Sequence, residues 1–351
     1  MRRLLLLNTD LEIGGTPTVV RELAIRLRDA EAAQVEVACL GRRGPVADEI
    51  ADAGIAVTAL DARGATDLLV LRRLIRLISD RKIDTVLSFL VHANAIATAA
   101  SLWLRDVRFF QSIQTTQPSP RWHWPVQGLA QWAAKRIIVP SESVAQVSRE
   151  KAHVPAEKIV VIPNAIDVNE IAYKAGPRAD TPTVGFIGRL DPVKRIPDLI
   201  DAMRQLNGVR CLIFGEGQQR AELEKQIAEC GLGDRVILRG PTQGPAQALA
   251  QIDLLILPSE AEGFGLVLIE AMAAGVPVVA TDAPGIRDVV RDGQTGLLVP
   301  VRAPNQLAAA IARVLNDSAL MRRLVDAART DVINRFSWET VIPRYVATLG
   351  L

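Results

Sequence analysis

The stretch that decides the fold is Glu262-Gly-Phe-Gly-Leu-Val-Leu-Ile-Glu270, EGFGLVLIE, in which two carboxylates bracket a glycine-rich turn leading into an apolar segment. The apolar residues Leu266, Val267, Leu268, Ile269, Ala271 and Met272 continue to Gly275, with Pro277 beyond, which reads as a short helix with a glycine stop. Upstream, Leu254 to Leu257 followed by Pro258-Ser259 reads as a buried strand ending in a turn. Downstream, Val276 to Thr281 reads as another strand. The unit is strand, glycine turn, helix, strand, with acids on both sides of the turn.

The same alternation extends outward in both directions. Strand-like runs occur at Leu4 to Asn8, Val35 to Leu40, Val57 to Leu60, Thr85 to Phe89, Arg108 to Ile113, Arg136 to Pro140 and Ile159 to Pro163. Helical patterns such as Thr18 to Asp29 and Leu68 to Asp80 lie between most of them. A polar stretch with Gly176, Pro177 and Pro182 follows. A second series then begins at Thr183 to Ile187, Val209 to Phe214 and Arg235 to Leu238 and runs through the opening stretch to Leu297 to Val299. Short strands alternating with helices predict α/β architecture, here two doubly wound domains joined near residues 171 to 182.

Composition narrows the function classes. The 351 residues suffice for two domains, and 49% hydrophobic against 23% charged residues excludes wholesale disorder. A net charge of +2 does not point to nucleic acid as a partner. Three cysteines, Cys39, Cys211 and Cys230, with no CxxC pair, fit a reducing, cytoplasmic setting, and Cys39 and Cys211 fall in strand-like runs as core residues. The apolar run after Met1 stops at Asn8 and reads as a strand rather than a signal peptide, and Leu68 to Ile78 is broken by Arg72, Arg73 and Arg76, so no membrane-spanning segment is expected.

In doubly wound sheets, ligands bind outside the carboxyl ends of the strands. Three loops at such ends stand out: Gly14-Gly15, Gly188-Arg189 through Lys194, and Gly215-Glu-Gly217. Glycines let backbone N–H groups approach a ligand, helix N-termini attract phosphate, and Arg189 and Lys194 add two cations suited to a diphosphate. GEGQQR imitates a dinucleotide fingerprint, but Arg220 stands where the third glycine belongs, which argues against NAD.

At this point the chain resembles the retaining family-four glycosyltransferases of the GT-B fold, two Rossmann-like domains facing across a cleft. The resemblance is carried by LILPSEAEGFGLVLIEAMAAGVPVVATDAPG and VVRDGQTGLLVP, by GGTPTVVRELAIRL in the first half, and by FIGRLDPVKR and GEGQQRAELE in the second. It implies an N-terminal, acceptor-side domain over 1–172 with a returning helix at 335–351, and a nucleotide-sugar domain over 173–334. It also implies that Glu270 holds the ribose hydroxyls and that Glu262 lies against the donor sugar. The rise of about 7 to 8 Å over the five helical residues from Gly265 to Glu270 lets the two acids grip different parts of an elongated ligand. Backbone around Gly263, Phe264, Gly265, Leu266 and Val267 would face the sugar and the distal phosphate. Gly15, Gly188, Gly215 and Gly217 would serve the phosphate loops, Arg239 would lie near the base, and Arg189 and Lys194 would stabilise the departing diphosphate.

The implied reaction is sugar transfer with retention from a nucleoside-diphosphate sugar to a sugar, lipid-linked or small-molecule acceptor. No Asp-x-Asp pair occurs, so no cofactor and no essential metal are expected. Gly14, His92, Asn94 and Gln114 are the acceptor-side candidates. Gln114 stands where many members of the family carry a His in a segment like HTT, and a neutral amide cannot relay a proton at neutral pH. A GT-B epimerase and a nucleotide-sugar binder without activity remain the alternatives. A glycosidase using Glu262 and Glu270 would leave the phosphate-type loops unexplained.

Several features carry two readings. His92, in FLVHANA, either points into the cleft or fixes a loop. Trp122, His123 and Trp124, in RWHWP, form either an aromatic acceptor lip or a loop packed on its own domain, and His153 reads as a surface residue. The basic segment Leu68 to Lys82 is either the solvated face of a core helix or a peripheral contact with the inner face of a membrane.

Overall fold

Most strands are short aliphatic runs buried on both faces, as parallel sheets covered by helices require, and strands at the sheet edges are part-exposed. The computed structural model describes residues 1–64, 67, 69–116, 122–173, 181–242 and 244–351. Leu68, Arg121, Gly176 and Pro177 of the sequence reading lie outside the described residues. Contacts divide the chain into two units, Met1–Asn164 with Trp338–Leu351, and Ala165–Ser337.

The first unit begins β1 (Arg2–Asn8), α1 (Gly15–Asp29), β2 (Ala33–Cys39), α2 (Pro45–Asp52), β3 (Ala56–Ala59) and α3 (Leu69–Asp80). It continues with β4 (Thr85–Phe89), α4 (Leu90–Ser101), β5 (Arg108–Ser112), α5 (His123–Ala130), β6 (Ile137–Val139), α6 (Glu142–Ala152) and β7 (Ile159–Val161). Its seven strands pair in parallel in the order β3-β2-β1-β4-β5-β6-β7.

The second unit runs β8 (Thr183–Ile187), α7 (Ile196–Met203), β9 (Arg210–Phe214), α8 (Arg220–Glu229), β10 (Val236–Gly240), α9 (Pro245–Leu249) and β11 (Leu254–Leu257). It ends with α10 (Leu266–Ala273), β12 (Val278–Thr281), β13 (Leu297–Val299), α11 (Pro304–Asn316) and α12 (Ser318–Phe336). Its six strands, also parallel, take the order β10-β9-β8-β11-β12-β13. This is the doubly wound order that reverses direction beside the first strand of the unit, here between β8 and β11.

The boundaries differ from the expected 172 and 335. Ile166 bridges Ser337 and its N–H donates to the carbonyl of Phe336 at 2.9 Å, so residues 165–172 and the end of α12 belong to the second unit. The last helix, α13 (Trp338–Leu349), returns to the first unit and packs against α1. There the Arg108 guanidinium donates to the carbonyl of Leu349 at 2.8 Å.

Local chemistry explains where elements start and stop. α1 begins at Gly15, earlier than the Thr18 read from periodicity, because Pro17 fits a first helical turn and the Thr18 N–H and hydroxyl both return to the carbonyl of Gly14. α10 stops as expected: Gly275 takes φ 74°, and Val276 N–H closes onto the carbonyl of Ala271. In α3, Val70, Leu74 and Ile78 enter the core. On its outer side Arg73 donates to the carbonyls of Leu60 and Asp61, and Arg76 lies 3.6 Å from Asp80. Cys39 and Cys211 are buried, and burial pushes the Cys211 thiol up to about 12. Among the described residues no helix is long and apolar enough to cross a membrane.

Candidate functional site

In the second unit the carboxyl ends of β8, β9 and β11 release the loops that carry the candidate residues. The turn after β8 holds Lys194 in a single helical turn, Pro192–Lys194, and Arg195 follows with φ 52°, its guanidinium paired to Asp198 at 2.7 Å. Lys194 Nζ donates to Glu262 Oε1 at 2.6 Å, and the Ser259 hydroxyl donates to the same oxygen at 2.7 Å. Both partners are largely buried, so the ammonium and carboxylate hold each other at the mouth of the sheet. The Glu262 backbone is fixed as well: its N–H donates to the carbonyl of Pro284, and a Cβ on Gly285, whose φ is 82°, would come within 2.2 Å of the Glu262 carbonyl oxygen. Ser259 and Gly285 escaped the sequence reading as site residues. The Ser-x-x-Glu spacing from Ser259 to Glu262 was the available signal.

Gly263, Phe264 and Gly265 lead into α10. Gly265 takes φ 84° and supplies no side-chain cap, so the first N–H groups of the helix lack intrahelical acceptors. The Phe264 ring turns inward, edge-on to Phe336 at 5.4 Å, leaving only its backbone for a ligand. Glu270 sits in the second turn of α10, half-buried, and no hydrogen bond or ion pair reaches its carboxylate among the described residues. Burial without a partner pushes its pKa up to about 7. A carboxyl in that state favours a ligand that supplies hydroxyl donors.

The remaining second-unit candidates divide. Arg189, with its side chain 77% exposed, pairs with Asp191 at 3.0 Å and not with Glu262. Gly188 and Gly215 were expected to free N–H groups for a ligand, but the Gly188 N–H donates to Phe214 and the Gly215 N–H to Gly240. The glycines are required for a different reason. A Cβ on Gly215 would stand 1.8 Å from the Gly188 carbonyl oxygen, and one on Gly217 would stand 2.6 Å from that of Leu190, so the two loops interlock. Arg239 is exposed and donates to Gln251 at 3.2 Å.

In the first unit, Gly14 caps α1 and Gly15 opens it, exposed. Asn94 is corrected from acceptor candidate to core residue. It is fully buried, accepts from Ser88 at 2.7 Å, and donates to Ser112 and Gln127. Gln114 is engaged at both ends of its amide, donating to Ser112 Oγ at 2.7 Å and accepting from Asn164 at 3.3 Å. His92, half-buried near the start of α4, lies edge-on to His123 at 5.0 Å and to Trp122 at 6.4 Å. His123 begins helix α5 rather than sitting in a loop, and burial, then the neighbouring His92, lowers its pKa. His153 is exposed.

Residues 13–170 match the glycosyltransferase family 4 model, and residues 167–331 match the model of glycosyl transferases group 1. The chain belongs to this glycosyltransferase family. Solved GT-B structures align over its whole length. Anabaena HepE, described in complex with UDP-glucose, superposes with a TM-score of 0.90 at 25% identity, covering 100% of both chains. Sucrose-phosphate synthase from Thermosynechococcus elongatus gives 0.83 at 24% identity, covering 99% of this chain and 98% of that one. Among curated glycosyltransferases, the phosphatidyl-myo-inositol mannosyltransferase of Mycobacterium tuberculosis is 37% identical over 195 residues, 52% of this chain and 51% of its own length. The Rhizobium meliloti lipopolysaccharide core glycosyltransferase LpsE is 32% identical over 172 residues, 49% of this chain and 51% of its own. The aligned part thus spans about half the length of these curated relatives.

Proposed function

We propose that the chain is a retaining glycosyltransferase that moves a sugar from a nucleoside-diphosphate sugar to a hydroxyl acceptor. The observation that carries this reading is Glu270, a half-buried carboxyl without a partner among the described residues, about one turn behind the uncapped start of α10, which follows Glu262 of the Lys194–Glu262 pair. Ribose hydroxyls would donate to Glu270, backbone N–H groups of Gly265 to Val267 would receive the distal phosphate, and Glu262 would lie against the sugar. Lys194 sits on the site already desolvated, so its charge opposes that developing on the departing diphosphate without reorganisation. Arg189, on the same loop and free to swing from Asp191, adds the second cation. This arrangement stabilises the leaving group with side chains and helix N–H groups, and the activity is accordingly expected to survive EDTA.

The description of HepE with UDP-glucose makes UDP the first nucleotide to try. Thermal melting of the purified chain with UDP, GDP, ADP and dTDP and their sugar conjugates, with magnesium or with EDTA, tests the donor site, since a ligand bound only by the folded state raises the melting temperature. One nucleotide should raise it in both buffers, and Glu270→Ala should abolish the rise. Melting unchanged by every nucleotide at millimolar concentration would end the transferase reading. Incubation with the selected donor and candidate acceptors then separates transfer, which makes a new glycoside, from epimerisation or simple binding.

A further inference from the structure

One surface of the first unit is unlike the rest. Along α5 and the turn after it, Trp122, Pro125, Leu129 and Trp132 recur at steps of three and four residues, and all are exposed, Leu129 at 75% and Trp132 at 58%. The opposite side of the same helix, His123, Gln127 and Ala130, is buried. α4 runs in step with α5, joined by the Asn94–Gln127 bond at 2.9 Å and by Thr98 donating to the carbonyl of Ala130 at 2.6 Å. The end of α4, where Leu102 and Trp103 are exposed at 54% and 63%, therefore reaches the level of Trp132. Three of the five tryptophans in the chain lie exposed here.

Charge selects the occupant. From Trp122 through Arg136 there is no carboxylate, whereas Lys135 and Arg136 close the segment, exposed and held at the foot of β5 by the Lys135 N–H donating to Phe109. Arg105 is exposed on the adjoining turn, beside a single acid, Asp106, and none of these three cations makes an ion pair among the described residues. Indole rings beside lysine and arginine, on a helix with one apolar face, form the composition that seats in the headgroup zone of an anionic bilayer. The basic helix α3 lacks this character, because Arg73 is engaged by carbonyls, Arg76 lies beside Asp80, and its apolar side is in the core.

We propose that the outward face of α5 and the following turn is a membrane-docking face that lies in the interface of a bilayer containing anionic phospholipid. It holds its amino end, where Trp122 meets His92 and His123, at the level of the headgroups. If the transferase reading holds, a lipid-linked acceptor enters there, from the membrane plane.

Flotation of the full chain with vesicles of phosphatidylcholine, alone or mixed with phosphatidylglycerol, tests the face. The chain should float with the mixed vesicles, be released by high salt, and show a blue shift of tryptophan emission. Leu129→Ser with Trp132→Ser should weaken binding tenfold or more, and Lys135→Glu with Arg136→Glu should weaken it by about fivefold or more per charge. Both double variants should keep the parent's protease resistance across residues 1–164, which reports folding of the first unit, and its nucleotide-induced rise in melting temperature, which reports the second. Failure to float with either vesicle, or variants that float like the parent, overturns the proposal. So does light scattering that shows a dimer dissociated by the Leu129/Trp132 change, since the face then joins two copies. Flotation with no nucleotide response in any form leaves the docking face standing and removes only the transferase reading.

Discussion

Glu270 is held in a state that folding alone disfavours. Its ordinary pKa of 4.5 rises to about 7 by burial, so between these values the folded chain keeps a proton that the unfolded chain releases. Stability of the ligand-free protein should therefore fall as pH rises from about 4.5 to about 7 and level off above. Glu270→Gln should flatten that segment of a melting-temperature profile and be the more stable protein at pH 8. A parallel displacement of the two profiles at all pH values would contradict this account. In the proposed donor site, ribose hydroxyls would donate to the ionised form, so nucleotide affinity should weaken as pH drops through the same range. The sequence reading singled out Glu262 and Glu270 as candidates because glycine turns and flanking acids are local signals. It misplaced Asn94 because whether a residue near a helix start faces ligand or core depends on Gln127 and Ser112, partners remote in the chain.

Turns and helices show the same division between local and remote causes. The strands among the described residues fell close to the runs of branched and aliphatic residues, since burial on both faces, which most of them have, leaves that mark on sequence directly. The interlocked loops after β8 and β9 left only glycines, whose purpose reads equally as ligand approach or as loop packing. Gly215→Ala separates these: with φ 139° and a Cβ 1.8 Å from the Gly188 carbonyl oxygen, it should cost about 3 kcal/mol or more in urea unfolding. At Gly233 an added Cβ meets nothing within 4 Å, and Gly233→Ala should be neutral or stabilise by about 0.4–1 kcal/mol through the unfolded state. Equal unfolding midpoints for the two variants would show that the loops yield independently.

The two units have separate hydrophobic cores, and the second is a continuous piece of chain. Residues 165–337 expressed alone should fold and retain the nucleotide response, whereas residues 1–337 should lose protection from protease throughout the first unit while keeping it in the second. Equal protease resistance of both units in the shortened chain would show that α13 is dispensable. The sequence revealed this division through its polar stretch but set the border eight residues late, because the Ile166–Ser337 bridge joins segments far apart in the chain. The return of α13 also orders events during synthesis. The ribosome finishes the sheet of the first unit at Val161, yet the helix that covers α1 arrives only after the whole second unit has been made. At about 5–20 residues per second the early half waits about ten to forty seconds with that face uncovered. The half made last is thus the first able to close, and the nascent first half depends meanwhile on whatever in the cell shields an exposed helix.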